Sequence, residues 1–272
     1  MSKQKRVNVR SLRAMKEAAE RLTMLATYDY FSAKILDEAG IDLLLVGDTL
    51  GMAFGGKETT LSVLLDHVCY HAEIVARAAE RAMVIGDMPF LTYQINPDQA
   101  VANAGRLMQE SGVNGVKLEG GRAMIPVVKR ILQAGIPVMG HLGLTPQSVH
   151  RFGGFLVQGR DEESAERLKQ AALALEKAGC FAVVLEAIPS ELAGEVTKLL
   201  SIPTIGIGAG PNCDGQVLVA ADMLGLTGFQ AKYLRRYADV RATIRDAADA
   251  FVRDVKNGRF PAAEESYRGS HG

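Results

Sequence analysis

The chain has few cysteines, no excess of either charge and no long apolar run. Each of these absences excludes a class of protein. Its three cysteines (Cys69, Cys180 and Cys213) are far apart and form no C-x-x-C pair, so we expect reduced thiols in a cytoplasmic protein. Lys plus Arg and Asp plus Glu both number 31, so no net field attracts nucleic acid or an anionic membrane. No stretch approaches the roughly 20 apolar residues of a membrane span, and we expect no signal peptide behind the basic N-terminus.

Buried strand patterns and amphipathic helix patterns alternate along almost the whole chain. The strand patterns cover residues 22–27, 42–46, 82–86, 115–119, 136–141, 181–186 and 202–208. The helix patterns cover residues 30–39, 64–79, 97–111, 123–134, 162–178, 191–200 and 240–256. Residues 216–224 fit either an eighth strand or a short helix.

Seven or eight such units predict an α/β protein of the (β/α)₈ barrel type, and a doubly wound open sheet is the alternative. We expect residues 1–272 to form a single barrel domain with peripheral segments at 1–20 and 261–272. Two stretches are predicted to be loops, the glycine-rich residues 51–56 and the longer residues 142–159. Loops as long as the second are commonly functional, and this one could close over bound substrates.

Ionisable side chains stand at the ends of several predicted strands: Asp48, Asp87, Lys117, Glu119, His141 and Glu186. In a barrel these ends meet at one face, although the residues are far apart along the chain. Each residue alone has a plainer explanation. Asp48 and Asp87 could cap turns, Lys117 and Glu119 could form a structural ion pair, and His141 could be a core histidine. The collection of all six at one end of a barrel favours an active site.

The two aspartates suit Mg²⁺, which prefers oxygen ligands and retains water. A zinc site is less favoured, because His67, Cys69 and His71 lie inside a predicted outer helix and lack the glutamate of an H-E-x-x-H motif.

Two glycine patterns could suggest phosphate binding. Residues 51–57 nearly fit G-x-x-x-x-G-K, but Glu58 stands where a P-loop needs a hydroxyl, so we reject this interpretation. The G-x-G-x-G pattern at 206–210 lacks the dinucleotide-binding spacing. It could line an anion or cofactor pocket, or simply let a tight turn pack.

Taken together, the motifs resemble the ketopantoate hydroxymethyltransferase family over about residues 7–261, in order and in register. The matching words lie at residues 46–52 (V-G-D-T-L-G-M), 87–90, 116–121, 140–148 (G-H-L-G-L-T-P-Q-S), 157–160, 185–186, 206–210 and 214–216. The G-H-L-G-L-T-P-Q word is highly specific for this family.

The resemblance implies a (β/α)₈ barrel that assembles as a homo-oligomer, usually a decamer. Its reaction joins the one-carbon unit of 5,10-methylenetetrahydrofolate to 3-methyl-2-oxobutanoate and gives 2-dehydropantoate, the first committed step of pantothenate synthesis. Neither nucleic acid nor a membrane is implied as a partner.

The resemblance also implies residue roles. Mg²⁺ is expected at Asp48 and Asp87, with Glu119 in its surroundings. The oxo acid is expected to contact Asp48, Thr49, Asp87, Lys117 and His141. Glu186 is expected to be the catalytic base. Thr49 departs from the serine that is usual in the family, which keeps the hydroxyl and adds a methyl group. Ser62 and Ala231 stand where prolines are common, and neither is a catalytic position.

Two rival functions remain. A Mg²⁺-dependent lyase of the isocitrate lyase and phosphoenolpyruvate mutase type would carry a cysteine loop like K-K-C-G-H, and none of the three cysteines has that context. A catalytically silent barrel would not need the intact acids at the strand ends.

Overall fold

Eight parallel strands form a closed barrel in the computed structural model, which describes residues 5–269. The strands are β1 (Leu22–Ala26), β2 (Leu43–Val46), β3 (Met83–Asp87), β4 (Gly115–Glu119), β5 (Val138–Gly143), β6 (Ala182–Glu186), β7 (Thr204–Ile207) and β8 (Gly215–Val219). Strand β1 pairs with both β2 and β8, so the sheet closes on itself. The barrel prediction is therefore confirmed, and the open-sheet alternative is excluded.

Helices follow most strands and cover the outside of the barrel. They are α1 (Val9–Glu17), α2 (Tyr30–Glu38), α3 (Leu50–Ala53), α4 (Leu65–Ala78), α5 (Pro97–Ser111), α6 (Ile125–Gln133), α7 (Val149–Phe152), α8 (Glu162–Ala178), α9 (Ser190–Leu199), α10 (Ala220–Met223) and α11 (Val240–Lys256). Helix α5 shows why the bounds fall where they do. Asn96 caps its first turn, Pro97 opens it, and Gly112 ends it with a φ of +70°. Among the helices within residues 5–269, none is both long and apolar enough to cross a bilayer.

Most residues of the barrel strands are apolar and buried, because side chains fill the interior and helices cover the exterior. All four residues of β2 are buried, for example. This double burial explains why the strands read as continuous apolar runs in the sequence.

Three local predictions need correction. Helix α3 lies in the stretch predicted as a glycine-rich loop, and a 3₁₀ turn (Pro146–Ser148) and α7 lie in the predicted loop 142–159. These pieces span four residues or fewer, so they are too short to show an apolar period. The ambiguous residues 216–224 contain both elements, because β8 ends at Val219 and α10 follows directly.

Helix α1 packs across the amino-terminal end of the barrel. Leu12 on this helix is fully buried, and Lys16 forms an ion pair of 2.7 Å with Asp214 just before β8. The segments 1–20 and 261–272 were predicted to be peripheral, and their ends at 1–4 and 270–272 lie outside the described residues.

A buried aspartate ties helix α2 to the start of β3 at the same end. The Asp37 carboxylate accepts hydrogen bonds from the backbone N–H groups of Glu80, Arg81 and Ala82 at 2.6–3.1 Å. The aspartate is 7% exposed, so it serves as an internal anchor for the turn before β3.

Candidate active site

Four neighbouring strands bring the predicted site residues together at the carboxyl end of the barrel. The registers place Asp87 of β3 beside Lys117 of β4, and Glu119 of β4 beside His141 of β5. All four are at most 5% exposed. Asp48, two residues beyond the end of β2, is equally buried. The expectation that these residues converge is confirmed by the structure.

Lys117 neutralises Asp87 at the centre of the cluster. Its Nζ lies 2.7 Å from both carboxylate oxygens of Asp87, and the backbone N–H of Asp48 donates to Asp87 Oδ2 at 3.3 Å. Burial alone would lower the pKa of Lys117, but the neighbouring carboxylates outweigh burial and raise it. The plainer interpretation of the sequence paired Lys117 with Glu119. In the structure the partner of Lys117 is Asp87 instead.

The cluster holds more carboxylates than its lysine can neutralise. Burial, together with the charges of Asp87 and Glu119, raises the pKa of Asp48 to about 8. Burial also raises the pKa of Asp87, against the opposing effect of Lys117. In addition, Oε1 of Glu119 is buried without a hydrogen-bond partner among the described residues. Such a site favours a further cation, since buried carboxylates without partners are costly.

His141 lies between two glutamates. Its Nδ1 is 3.6 Å from Glu119 Oε1 and its Nε2 is 3.2 Å from Glu186 Oε2, although neither contact has good hydrogen-bond geometry. Burial acts to lower the pKa of His141, but the two glutamates raise it to about 9. The two acids therefore favour the protonated form of the ring, so His141 is more than a passive core histidine.

Glu186 occupies the open edge of the cluster. Its side chain is 16% exposed, whereas that of His141 is 3% exposed. The backbone here is unusual, because Ala187 has a φ of +46° and is held by hydrogen bonds to β7 and to Gln158. Gly143 has a φ of +91°, and a Cβ there would lie 2.1 Å from the Glu186 carbonyl oxygen. Strained backbone of this kind is typical of functional sites. Here it fixes the position of the Glu186 backbone, from which the side chain projects.

A glutamine that was not predicted from the sequence connects the acids. The Gln147 side-chain amide donates to Asp48 Oδ2 at 2.9 Å, and its backbone N–H donates to Glu119 Oε2 at 3.0 Å. Its amide oxygen accepts a 2.7 Å bond from the Tyr93 hydroxyl. Gln147 belongs to the G-H-L-G-L-T-P-Q word, but an uncharged residue after a strand gave no chemical signal. Tyr93 gave none at all.

Tyr28 and Thr49 lie side by side on the β1–β2 side of the cluster. Thr49 caps α3 without a side-chain capping bond, and the buried Tyr28 hydroxyl has no hydrogen-bond partner of good geometry among residues 5–269. Burial and the charges of Asp48 and Asp87 raise the pKa of Tyr28 above its usual range. Tyr28 also stands two residues after a strand. A search of the predicted strand ends for hydroxyl groups, as well as for charged groups, would have found it.

The rejected zinc candidates do not converge. His71 Nδ1 lies 2.7 Å from the carbonyl oxygen of Tyr28, and His67 Nδ1 accepts the backbone N–H of Leu64 at 3.1 Å. Cys69 is buried on the same helix.

The glycines at 206–210 fit the tight-turn interpretation, since a Cβ on Gly210 would lie 2.2 Å from the Ser190 Oγ.

Sequence relatives match the chain over almost its whole length. A profile of the family described as ketopantoate hydroxymethyltransferase matches residues 6–263. A 3-methyl-2-oxobutanoate hydroxymethyltransferase from Chlorobaculum tepidum is 52% identical over 266 residues, covering 96% of each chain. An enzyme of the same name from Syntrophomonas wolfei is 52% identical over 263 residues, covering 96% of this chain and 95% of the relative.

Solved structures share the barrel but little sequence. Phosphonopyruvate hydrolase in complex with oxalate and Mg²⁺ matches with a TM-score of 0.61 at 12% identity, covering 97% of this chain and 92% of its own. A 2,3-dimethylmalate lyase of the PEP mutase/isocitrate lyase superfamily matches with a TM-score of 0.59 at 18% identity, covering 96% and 92%. At such identities the likeness concerns the fold alone, so the rival lyase function has no support from sequence. From its profile match and its relatives, the chain belongs to the ketopantoate hydroxymethyltransferase family.

Proposed function

We propose that the chain transfers the one-carbon unit of 5,10-methylenetetrahydrofolate to C3 of 3-methyl-2-oxobutanoate and releases 2-dehydropantoate. The observation that carries this proposal is a carboxylate at the open edge of a buried, charged site. Glu186 stands there, 3.2 Å from the ring of His141, whose pKa the neighbouring glutamates raise, and next to the acid cluster. Removing a proton from C3 of an oxo acid requires such a base and a positive environment for the resulting negative charge.

The site residues fit Mg²⁺, although no three His, Cys, Asp or Glu side chains within residues 5–269 form a complete metal cage. Mg²⁺ needs no such cage, because it is commonly held by one or two carboxylates, water and substrate oxygens. Asp48 and Asp87 would hold it, and the unpartnered Oε1 of Glu119 would accept hydrogen bonds from its water shell. When bound, the ion supplies positive charge that stabilises the oxo acid as its C3 loses a proton.

The protein's own groups then divide the remaining work. Lys117 would hold the substrate carboxylate by charge-assisted hydrogen bonds, and Thr49 would donate its hydroxyl to the oxo acid. Glu186 takes the proton from C3. The methylene carbon gains one bond to C3 and one to the oxygen of a water molecule, while its bonds to N5 and N10 of the folate both break. The proton from C3 and one proton from that water end on the two folate nitrogens. His141 contacts the oxo acid and holds Glu186 in place.

Proton exchange at C3 tests the base separately from the transfer. Wild-type protein with Mg²⁺ should exchange the C3 proton of 3-methyl-2-oxobutanoate in deuterated buffer, as followed by NMR. Glu186→Gln should slow the exchange by about 10²-fold or more. Glu191→Gln, an exposed glutamate in the first turn of α9, is the matched control and should leave the rate unchanged. Exchange at the native rate in Glu186→Gln would exclude this base.

The metal site and the overall reaction have their own tests. Asp48→Asn and Asp87→Asn should weaken Mg²⁺ binding in calorimetry, whereas the exposed Asp98→Asn should not. Native Mg²⁺ affinity in both site variants would contradict the assignment. Formation of 2-dehydropantoate that depends on the folate distinguishes this function from a lyase and from a silent barrel.

We also propose that the chain assembles as a homo-oligomer, as a decamer by family resemblance, and forms one barrel domain with peripheral ends. Helix α11 has no buried residue, and it exposes Ile244, Phe251 and Val255 along one face. An exposed apolar face of this length suits burial against another copy of the chain. A cytoplasmic location agrees with the three free, buried cysteines.

A further inference from the structure

One part of the site is buried and another is open to solvent, and this difference suggests where each of the two substrates binds. Asp48, Asp87 and Lys117 are at most 4% exposed, whereas the Glu186 side chain is 16% exposed. If the oxo acid occupies the buried cluster, its C3 faces the open edge where Glu186 stands. The one-carbon donor must then approach over Glu186, that is, over the ends of β6 and β7.

An aromatic side chain lies at this approach. Tyr233 belongs to the segment 224–239 between α10 and α11, which is held to the end of α10 by the Tyr237 N–H bond to the Met223 carbonyl at 2.8 Å. Its ring packs on Gly208, where a Cβ would lie 3.0 Å from Tyr233 Cδ1 and 3.5 Å from Cγ and Cε1. Glycine with a φ of +63° at position 208 therefore lets the ring rest directly on the backbone.

The position of Gly208 places this ring next to the proposed base. Gly208 directly follows Ile207, which is the register partner of Glu186 across β6 and β7. Burial together with the charge of Glu186 raises the pKa of Tyr233 to about 12, in agreement with this proximity. Tyr233 is nevertheless 40% exposed. One side of the ring thus packs on protein, while part of its surface stays open beside the reacting edge.

An open aromatic surface of this kind is suited to stack on a flat heteroaromatic ring. We propose that Tyr233 stacks on the pterin ring of the one-carbon donor, so that the folate subsite lies over the ends of β6 and β7. This inference rests on the proposed function, which makes a folate the second substrate.

The charges around Tyr233 fit the rest of such a donor. The segment 224–239 includes three cations, Lys232, Arg235 and Arg236, and one acid, Asp239, whose carboxylate caps α11. All three are exposed, and Arg236 donates one hydrogen bond, to the Phe229 carbonyl oxygen at 2.9 Å. A folate carries glutamyl carboxylates at the end remote from its pterin, and this segment supplies complementary charge.

Three variants test the subsite. Tyr233→Ala should raise the KM for 5,10-methylenetetrahydrofolate and the Kd for tetrahydrofolate about tenfold or more, since stacking on one aromatic ring is worth roughly that or more. Tyr233→Phe keeps the ring and should stay within about threefold of wild type. Tyr237→Ala, in the same segment and 67% exposed, is the matched control and should also stay near wild type.

The exchange assay separates this inference from the proposed function. All three variants should exchange the C3 proton of the oxo acid at the native rate, because that step needs no folate. Native folate affinity in Tyr233→Ala, in a wild-type protein that makes 2-dehydropantoate, would overturn the subsite alone. If Tyr233→Ala lowers the rate of C3 exchange by as much as it lowers folate affinity, Tyr233 positions Glu186 and does not bind the pterin. A wild-type protein that makes no 2-dehydropantoate would overturn both proposals.

Discussion

The side-chain amide of Gln147 donates a 2.9 Å hydrogen bond to Oδ2 of Asp48, while its own backbone N–H donates to Glu119. One residue thus fixes two of the three carboxylates proposed to surround Mg²⁺. The amide is fixed in turn, because the Tyr93 hydroxyl donates to its oxygen and the Met88 carbonyl accepts from its nitrogen. Groups that orient metal ligands in this way commonly matter nearly as much as the ligands themselves.

We therefore expect Gln147→Leu to impair the enzyme without unfolding it. The variant keeps the backbone bond to Glu119 but frees Asp48 from its donor, so Mg²⁺ affinity should fall by about 10- to 100-fold. Calorimetric titration with Mg²⁺ and steady-state kinetics measure the effect. Gln158→Leu is the matched control, since that amide lies on the same β5–α8 connection and, among the described residues, donates only to the carbonyl of Leu156. Native Mg²⁺ affinity in Gln147→Leu would rule out the orienting role.

Thr49 offers a second prediction, because its hydroxyl and its methyl group can be removed separately. Thr49→Ser restores the residue usual in the family and should keep kcat/KM within about threefold. Thr49→Val keeps the shape but loses the hydroxyl, and loss of one hydrogen bond to a charged substrate should raise the KM for the oxo acid by about tenfold. Steady-state kinetics at saturating folate measure both. If Thr49→Val and Thr49→Ser have the same KM for the oxo acid, the hydroxyl does not contact that substrate.

The convergence of Asp87, Lys117, Glu119 and His141 could be predicted from the sequence for a physical reason. A parallel barrel strand is buried on both faces, so a charged residue at its end interrupts an apolar run and is easily seen. Closure of the barrel then brings these ends to one face whatever their distance along the chain.

The connections between Gln147, Tyr93 and Asp48 had no such signal. Tyr93 lies in an irregular segment and Gln147 in a single 3₁₀ turn, and neither shows a period that indicates which way a side chain points. Their contacts span 54 and 99 residues of sequence and depend on the path of two loops. The short helix α3 escaped prediction for a related reason, since a single turn shows no amphipathic period.

Asp37 shows that a buried acid in this fold need not be catalytic. It lies at the amino-terminal end of the barrel, and its carboxylate accepts the N–H groups of Glu80, Arg81 and Ala82. Asp37→Ala leaves these donors without their acceptor, so the free energy of unfolding should fall by about 3 kcal/mol. Urea unfolding measures the change, and the activity of the folded fraction should equal that of wild type.

Asp161→Ala provides the matched control for that measurement. Asp161 caps α8 with a bond to the Ser164 N–H at 2.8 Å, but it is exposed, so its loss should cost only about 1 kcal/mol. Equal destabilisation by the two variants would mean that Asp37 acts as an ordinary helix-end residue and not as an internal anchor. A loss of activity in folded Asp37→Ala would show instead that the amino-terminal end of the barrel affects the chemistry.

The exposed face of α11 leads to a prediction about assembly. Phe251 is 57% exposed, and Ile244 and Val255 lie on the same face at helical spacing. If a second copy covers this face, Phe251→Lys places a charge in the interface and should shift the protein toward smaller species. Light scattering at several concentrations measures the mass. Asp249→Lys changes charge on the opposite face of the helix and should leave the mass unchanged. A wild-type protein that is monomeric at all concentrations, or a Phe251→Lys variant of native mass, would exclude this face as the interface.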